Sequence, residues 1–421
     1  MEDVIVVNTG LVGCQWGDEG KGKVTDVLAK YFDITARYQG GANAGHTIER
    51  DGQKIVVHLI PSGIVEKDVI CVMGNGMVID PIRLMAEVKE LKSKGISVKG
   101  RLKISVGAHL ITPWMILLEE VRENKVGSTK RAIGPAYELK ARRDGVRAGS
   151  VLMSFETYLD RLYENAKAVN EYAYQFNSNL ATDNNVERFA NETFDFLREY
   201  VRDTTPLLYD AYKDGKKILL EGAQGGGLCI DHGTYPFVTS SVCTVGGMIS
   251  GTGLPLDSIQ NIIGIIKAYT TRVGKGPFPT KIEGELADYI IKTGNEIGAS
   301  TGRTRDVGYL DLFHVDFINK RNGTKRLCLM KLDVLNGLDT VKICTSYEGY
   351  ADYPFDSEQL ENVQPKYCEF AGWPYVVDEE NNIHPDVVDY IEAIEGYLKI
   401  PVALISYGPD HTQTKILKSL F

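Results

Sequence analysis

The chain has 421 residues, of which 43% are hydrophobic and 24% are charged, as is usual for a soluble globular protein. The formal net charge is −9 and no dense basic run occurs, which argues against nucleic acid and against an anionic membrane as partners. No apolar stretch approaches the roughly 18 residues of a membrane-spanning helix, and no signal-peptide pattern is seen.

The first predicted elements are a buried strand, a glycine-rich loop and a helix. Apolar residues at 4–7 and 11–13 indicate the strand, and Val24, Val27 and Leu28 have helical spacing. Glycines let backbone N–H groups approach phosphate oxygens, and lysines add positive charge. The connecting segment therefore predicts a polyphosphate site at the helix N-terminus rather than a plain surface turn. It comprises Gly17, Asp18, Glu19, Gly20, Lys21, Gly22 and Lys23.

The acidic pair Asp18 and Glu19 is unexpected in this loop, because carboxylates repel phosphate. The loop also departs from the standard G-x-x-x-x-G-K-[ST] pattern. Gly13 precedes Gly20 by seven residues, and glycine and lysine stand where a Mg²⁺-binding serine or threonine belongs. We therefore expect a carboxylate to bind Mg²⁺ or to take a proton, and Asp18 is the candidate metal ligand.

A second glycine-rich segment, residues 40–47, follows the strand-like residues 36–38. It carries Asn43, Ala44, Gly45, His46 and Thr47. A lone histidine is often a structural residue, but small neighbours would leave His46 accessible. Because imidazole titrates near neutral pH, we expect His46 to hydrogen-bond a phosphate bridging oxygen or to act as an acid.

Short apolar runs alternate with helical patterns along the rest of the chain, which predicts an α/β fold with a largely parallel central sheet. The strand candidates are residues 55–59, 69–72, 218–220, 262–266, 327–332, 341–344 and 402–405. Helical patterns lie at 158–166 and 189–201, with an exposed loop predicted at 177–185, and a further helix is predicted after Pro385. Residues 150–213 are therefore predicted to form a helical insertion.

The cysteines bear on the compartment of the protein. There are seven, without a C-x-x-C pair, at positions 14, 71, 229, 243, 328, 344 and 368. Scattered cysteines in apolar surroundings are typical of buried thiols in a reducing compartment. The simplest location is the cytoplasm.

Several polar loops follow predicted strands, where nucleotide sites of α/β proteins are found. They contain Thr129 in the segment 128–135, Arg143, Gln224 in the glycine-rich segment 221–227, and Thr239. Each of these, taken alone, would be interpreted as an ordinary loop. Together they become candidates for binding a nucleotide.

Two later segments suggest recognition of anions and of guanine. Residues 300–305 place Arg303 and Arg305 beside hydroxyls and a glycine, which suits a carboxylate or phosphate site, although a solvated basic turn is the alternative. Lys331, Leu332 and Asp333 end an apolar strand. A carboxylate there can accept from both N1–H and the 2-amino group of guanine, and adenine offers no such pair of donors.

At this point the chain resembles the adenylosuccinate synthetase family, essentially from end to end. The resemblance depends on many segments that occur in one order. They are residues 15–23, 43–47, 133–137, 231–236, 267–274, 276–280, 301–303, 331–335 and 408–410.

The resemblance implies a P-loop-like fold, two chemical steps and Mg²⁺ as cofactor. Asp18 would remove the N1 proton of inosine monophosphate (IMP), and O6 would then attack the γ-phosphate of GTP while His46 stabilises the bridging oxygen. The amino group of L-aspartate would displace the 6-phosphoryl group. Mg²⁺ would bind Asp18 and the carbonyl of Gly45. Such phosphoryl transfer depends chiefly on positioning and charge stabilisation.

The same resemblance assigns the other site residues. The catalytic set is Asp18, His46, Lys21 and Gln224. GTP would be bound by Gly17, Glu19, Gly20, Lys21, Gly22, Lys23, Gly45, His46, Thr47, Arg305, Lys331, Leu332, Asp333, Ser406, Tyr407 and Gly408. IMP would be bound by Asp18, Glu19, Gly20, Lys21, Asn43, Ala44, Gly45, His46, Thr129, Arg143, Gln224, Thr239 and Arg303. Aspartate would be bound by Ala299, Ser300, Thr301, Gly302, Arg303, Thr304 and Arg305. Arg143 would act across the interface of a homodimer.

The chain departs from the family pattern at a few positions. Lys130 and Ala132 stand where glycines are common, Lys281 stands where an acidic residue is usual, and Val242 replaces a frequent asparagine. Asp306 adds a negative charge beside the predicted aspartate site. None of these departures removes a catalytic group. A phage branch of the family, which acts on a deoxyguanylate, lacks the catalytic aspartate, and Asp18 argues against that branch.

The predicted sites also bear on domain count. If Lys21 and Asp333 hold the two ends of one GTP, distant parts of the chain must meet, so residues 1–421 are predicted to form one domain. Two other interpretations remain open. A GTP-binding switch would need a Mg²⁺-binding threonine and has no use for His46 or the paired arginines, and a purine nucleotide kinase would not need aspartate.

Overall fold

The computed structural model describes residues 6–50, 52–122, 129–298, 302–354 and 356–421. Within these residues the strands are β1 (Thr9–Gly13), β2 (Ile34–Arg37), β3 (His46–Arg50), β4 (Gln53–Val57), β5 (Ile70–Met73), β6 (Val78–Ile79), β7 (Leu102–Ser105), β8 (His109–Leu110), β9 (Val201–Arg202), β10 (Ile218–Glu221), β11 (Asn261–Lys267), β12 (Tyr269–Arg272), β13 (Asp306–Asp311), β14 (Arg326–Met330), β15 (Thr340–Tyr347), β16 (Pro365–Ala371), β17 (Val402–Ser406) and β18 (Thr414–Ile416).

The α-helices of the same residues are α1 (Lys21–Ala29), α2 (Pro81–Ser93), α3 (Pro113–Val121), α4 (Ile133–Arg142), α5 (Phe155–Ala173), α6 (Asp183–Tyr200), α7 (Thr204–Lys213), α8 (Val245–Thr252), α9 (Glu285–Thr293), α10 (Leu312–Asn322), α11 (Ser357–Glu361) and α12 (Pro385–Leu398). The helices predicted around 158–166, around 189–201 and after Pro385 are therefore confirmed. The loop predicted at 177–185 is shorter, because Thr182 caps α6 and the helix begins at Asp183.

The main sheet contains ten strands of the described chain, in the order β18-β17-β14-β11-β1-β10-β2-β5-β7-β9. Every neighbouring pair is parallel except β17 and β18, so the predicted α/β fold with a largely parallel sheet is confirmed. Strand β1 is buried along its length between β10 and β11. The C-terminal ends of these parallel strands share one edge of the sheet, so the loops that follow them meet there.

The predicted strand, loop and helix at the start of the chain are confirmed with one change. The strand begins at Thr9, so Val6 and Val7 precede it, and residues 4 and 5 lie outside the described residues. Helix α1 begins directly after Gly20 and buries Val24 and Leu28. The predicted phosphate loop therefore joins the C-terminal end of a central strand to a helix N-terminus.

Two strand predictions were right about the strand but not about its sheet. The strand predicted at 55–59 is β4, which pairs only with β3 in an antiparallel hairpin among the described residues. Gln53 and Lys54 of β4 are exposed, whereas strands of the parallel sheet are buried on both faces. The strand predicted at 341–344 is β15, which belongs to a separate sheet of order β12-β13-β15-β16.

The predicted insertion at 150–213 is mostly helical, but it also contributes to the main sheet. Helices α5 and α6 bury aliphatic and aromatic faces that include Tyr158, Leu162 and Phe189. Between α6 and α7 the chain forms β9, which pairs in parallel with β7 at the edge of the sheet. A strand of two residues is too short to show an alternating pattern in the sequence.

All seven cysteines lie within the described residues and are free thiols. Six are buried, as predicted, but Cys368 is exposed because it lies on β16, most of whose residues face solvent. No helix in the described part of the chain is both long and apolar enough to cross a bilayer.

Candidate active site

The predicted phosphate loop is shaped by left-handed backbone. Gly17 has φ 89° and Gly20 has φ 96°, which glycine adopts without strain, and Asp18 between them has φ 57°. Helix α1 starts at Lys21, so its N-terminal N–H groups, including those of Gly22 and Lys23, lie at the end of the loop. A helix N-terminus of this kind favours anions.

The two carboxylates of the loop have different environments. The side chain of Glu19 is fully buried and accepts from the backbone N–H groups of Gln15 at 3.1 Å and Gly17 at 2.9 Å. It also lies 2.5 Å from the ammonium group of Lys21. Asp18 instead keeps 35% of its side chain exposed. Glu19 therefore holds the loop together, and Asp18 is the carboxylate that remains accessible.

Two glycines, one at the end of β1 and one in the loop after β10, make room for Glu19. A Cβ at Gly13 would lie 2.4 Å from its Oε2, and a Cβ at Gly225 would lie 2.3 Å from its Oε1. Both distances are far below van der Waals contact. The early Gly13, which is misplaced for a standard phosphate loop, thus has a packing function here.

His46 is the first residue of β3 and packs against the phosphate loop. A Cβ at Gly22 would lie 2.6 Å from the Cβ of His46, so only glycine fits there. The Nδ1 atom of His46 lies 2.5 Å from Oε1 of Glu221 and 3.2 Å from the hydroxyl of Ser62. The prediction that His46 is accessible is therefore wrong. The residue is only 8% exposed, because it packs against Gly22 and its imidazole is held by the buried carboxylate of Glu221.

The neighbours of Glu221 lower the pKa of its carboxyl. Burial by itself would raise its pKa, but His46, Arg37 and the hydroxyl of Ser62 outweigh that effect, and the pKa lies below its usual range. The backbone N–H of Ser62 also donates to Glu221 at 2.8 Å. The sequence indicates Glu221 only as part of the glycine-rich segment 221–227 and does not predict its contact with His46. In the structure Glu221 is the last residue of β10.

The side chain of Lys23 contacts a loop near the end of the chain, residues 406–413, through three hydrogen bonds. Its Nζ donates to the Ser406 hydroxyl at 2.8 Å, the Gly408 carbonyl at 2.7 Å and the Gln413 carbonyl at 3.1 Å. Burial lowers the pKa of Lys23 to about 8. The backbone N–H of Tyr407 also donates to Gln413, at 3.1 Å. The structure thus joins residues 406–408, predicted to bind GTP, to the start of α1.

Asp333 lies in a 3-10 turn, Leu332–Leu335, directly after β14. Its Oδ1 is buried and has no hydrogen-bond partner among the described residues. Burial raises the pKa of this carboxyl. A buried acceptor without a protein partner is costly unless a ligand donates to it.

Lys331 and Arg305 meet at a carboxylate that the sequence analysis missed. Lys331 donates to Glu296 at 2.6 Å and to the carbonyl of Gly294 at 2.8 Å. Arg305 donates from Nη1 to Glu296 at 2.6 Å and from Nε to Asp18 at 2.8 Å. Glu296 belongs to none of the predicted motifs, and its contacts with Lys331 and Arg305 are seen only in the folded structure.

The candidate IMP residues are also brought together in part. The side-chain amide of Asn43 lies 3.5 Å from the Thr239 hydroxyl. Gln224 has φ 54°, and its Oε1 is buried without a hydrogen-bond partner in the described part of the chain.

The other candidate residues differ in exposure. Thr129 is half-buried in the loop before α4, and Arg143 is exposed just beyond the end of that helix. Ala44 is buried, and Gly45 and Thr47 are half-buried.

The candidate aspartate segment is described only in part. Ala299, Ser300 and Thr301 lie outside the described residues. Gly302, Arg303 and Thr304 are exposed, and Thr304 forms an isolated antiparallel β-bridge with Ile297. Two departures from the family pattern meet beside this segment, because the Lys281 ammonium lies 3.3 Å from the Asp306 carboxylate.

The fold and the site together define a class of protein. A glycine-rich loop at a helix N-terminus, an accessible carboxylate and an oriented histidine lie at the C-terminal edge of a parallel sheet. This arrangement is that of a nucleotide-dependent α/β enzyme.

The comparisons with known proteins are specific. The family model for adenylosuccinate synthetase matches residues 10–415. Adenylosuccinate synthetase from Caldanaerobacter subterraneus subsp. tengcongensis is 41% identical over 98% of this chain and 99% of its own length, and that from Chlorobaculum tepidum is 44% identical over 96% of both. The fully ligated structure from Plasmodium falciparum is 34% identical with a TM-score of 0.91, covering 98% of this chain and 100% of that one. The chain belongs to the adenylosuccinate synthetase family, whose members ligate IMP and aspartate using GTP.

Proposed function

We propose that this chain makes adenylosuccinate from IMP, L-aspartate and GTP through a 6-phosphoryl intermediate. The observation that carries the proposal is that Asp18 lies on the predicted phosphate loop and that His46 packs against the same loop. Asp18 is accessible on the loop, and His46 packs against Gly22 with its imidazole held by Glu221. A base and a hydrogen-bond donor are therefore available at a single polyphosphate site.

In the first step Asp18 takes the N1 proton of IMP, which leaves negative charge on O6. O6 then bonds to the γ-phosphorus of GTP, and the bond from that phosphorus to the bridging oxygen breaks. Because Nδ1 of His46 faces Glu221, its Nε2 is the nitrogen left to stabilise the bridging oxygen of the departing GDP. Lys21 adds positive charge at the phosphates.

In the second step the amino group of aspartate bonds to C6 and the C6–O6 bond breaks, so that O6 leaves with phosphate, and the proton that the amino group loses leaves with the phosphate. The products are adenylosuccinate, GDP and phosphate. Gln224 is proposed to act in catalysis, and its buried Oε1 offers an acceptor to the purine. Asn43, Thr129, Thr239 and Arg303 would complete the IMP site.

Mg²⁺ is the proposed cofactor, and the loop suits it. Mg²⁺ prefers oxygen ligands and is usually bound through one or two carboxylates plus substrate phosphates. The Asp18 carboxylate is 35% exposed and one of its oxygens accepts from Arg305, whereas Glu19 is fully buried and holds the loop. Asp18 and the Gly45 carbonyl would hold the ion, which neutralises charge on the phosphates when bound.

The guanine base is proposed to lie against Asp333 and the loop 406–408. The buried Oδ1 of Asp333 would accept from the base, which selects guanine over adenine. Lys23 keeps Ser406 and Gly408 in place and so acts on the base site indirectly. Lys331 donates to Glu296, which leaves its aliphatic stem as the part available to pack on the base.

Aspartate is proposed to bind the segment 299–305, with Arg303 and Arg305 as its cationic groups. We further propose a homodimer in which the exposed Arg143 reaches the IMP of the partner subunit. Residues 1–421 would form one domain, supported by the contact of Lys23 with Gly408 across most of the chain. A cytoplasmic location is proposed from the free thiols.

The experiment that tests this function is an omission assay. Purified protein is given GTP, IMP, aspartate and Mg²⁺, and each substrate is left out in turn while phosphate release is measured. We expect release only when all three are present. Phosphate transfer without aspartate would favour a purine nucleotide kinase, and release with GTP alone would favour a GTP-binding switch.

A further inference from the structure

Glu296 is a buried carboxylate that the proposed mechanism does not use. It has no exposed surface and follows helix α9 in the chain. Its Oε1 lies 2.6 Å from the Lys331 ammonium, 2.5 Å from the Tyr269 hydroxyl and 3.5 Å from the Lys267 ammonium. Its Oε2 lies 2.6 Å from Nη1 of Arg305. One carboxylate therefore accepts three hydrogen bonds, from Lys331, Tyr269 and Arg305, and pairs with a fourth group, Lys267. These four groups come from four different segments of the chain.

Glu296 accepts hydrogen bonds from residues of two different proposed substrate sites, the guanine site and the aspartate site. Lys331 immediately precedes the 3-10 turn that carries Asp333, the proposed guanine acceptor. Arg305 belongs to the proposed aspartate segment and donates to Asp18 on the phosphate loop. Glu296 thus lies between the base of GTP and the amino acid, and it is bonded to a residue of each site.

The charge balance around Glu296 explains why a carboxylate is needed there. Three cations, Lys267, Lys331 and Arg305, share this one buried partner. Burial lowers the pKa of Lys267 to about 8, while for Glu296 the three cations outweigh burial and hold its pKa well below the usual range. Removing one member of a buried ionic group leaves the others without compensation.

We propose that Glu296 is a positioning residue that couples the guanine site to the aspartate site by holding Lys331 and Arg305 in place. This inference rests on the proposed function, because that function assigns guanine to Asp333 and aspartate to Arg305. Glu296 itself touches neither substrate. Its removal should therefore weaken the binding of two substrates and spare the third.

The test is the substitution Glu296→Gln in the full chain, with KM measured separately for each substrate. An amide cannot accept from all of these donors, and its NH₂ would face a cation. We expect KM for GTP and for L-aspartate to rise about tenfold each, with KM for IMP changing less than about twofold. An equal rise of all three values, a fall in kcat alone, or no change in KM would overturn the proposal.

Two further variants make the test independent of folding. Tyr269→Phe removes one hydrogen bond to Glu296 and keeps every charge, so we expect both KM values to rise by about two- to fivefold. If Glu296→Gln does not fold, Tyr269→Phe carries the test, and unchanged KM values overturn the proposal.

Glu87→Gln is the matched control. Glu87 is also buried, but it accepts from the backbone of Leu59 and Ile60, so its loss should lower Tm without a selective KM shift.

Failure of this inference and failure of the proposed function give different results. If the wild-type protein needs all three substrates but the Glu296 and Tyr269 variants show no selective shift, only the coupling is wrong. If the wild-type protein releases phosphate without aspartate, the proposed function itself is wrong.

Discussion

The substitution Asp333→Asn tests guanine recognition by hydrogen-bond direction alone. Guanine presents N1–H and a 2-amino group, both donors, which one carboxylate accepts. Xanthine carries a carbonyl at position 2, which a carboxylate repels. Asparagine offers one acceptor for N1–H and one donor for that carbonyl. Asp333→Asn should therefore lose affinity for GTP and gain affinity for XTP.

The magnitude follows from the surroundings of Asp333. Its Oδ1 is buried and has no partner among the described residues, so no nearby protein group compensates for a mismatch. A buried mismatched pair costs about 1–3 kcal/mol, and about 1.4 kcal/mol corresponds to tenfold in affinity. We expect a shift of roughly one to two decades in each direction.

The assay is the KM of wild type and variant for GTP and XTP at saturating IMP and aspartate. Asp339→Asn is a matched control, because Asp339 is an exposed carboxylate on the same segment and should leave both values unchanged. If Asp333→Asn keeps the wild-type preference for GTP, then guanine is read elsewhere and the reasoning is refuted.

Three further predictions concern the base, the dimer and the surface charge. Asp18→Ala should lose about 10²–10⁴-fold in kcat with little change in Tm, since the loop is held by Glu19 instead; near-normal turnover would contradict the mechanism. Arg143→Leu should raise KM for IMP, and mixing it with Asp18→Ala should restore activity through hybrid dimers with one intact site; no recovery after verified subunit exchange would exclude a role across the interface. Lys281→Glu would place a second negative charge beside Asp306, so KM for aspartate should rise by about two- to fivefold at low salt and less at high salt; an unchanged KM would show that this pair does not influence aspartate.

The parts of the fold that were predicted correctly depend on local patterns. The glycines of residues 17–22 predicted the loop, and the spacing of Val24, Val27 and Leu28 predicted the helix. Both patterns are formed by residues that are close together in the sequence. The sheet assignment of β4 and β15 was not predictable in the same way. The sequence of a strand indicates that a strand forms, but it does not determine which other strand pairs with it, because the pairing depends on other segments of the chain.

The site shows the same division. Asp18 and His46 were predicted from their own neighbours, but the contact of His46 with Glu221 joins residues 175 positions apart. Glu296 lies in an ordinary loop sequence, and its partners come from β11, β12, the aspartate segment and the end of β14. Lys281 and Asp306 stood out as separate departures, and only the structure shows them as an ion pair.

The central claim is that O6 of IMP is phosphorylated before aspartate displaces it. The most direct measurement uses IMP labelled with oxygen-18 at O6 and follows the label by mass spectrometry of the phosphate and of unreacted IMP. The mechanism predicts that each phosphate released carries the O6 label, because the C6–O6 bond breaks and the new O6–phosphorus bond remains. Unlabelled phosphate, formed together with adenylosuccinate, would contradict the 6-phosphoryl intermediate.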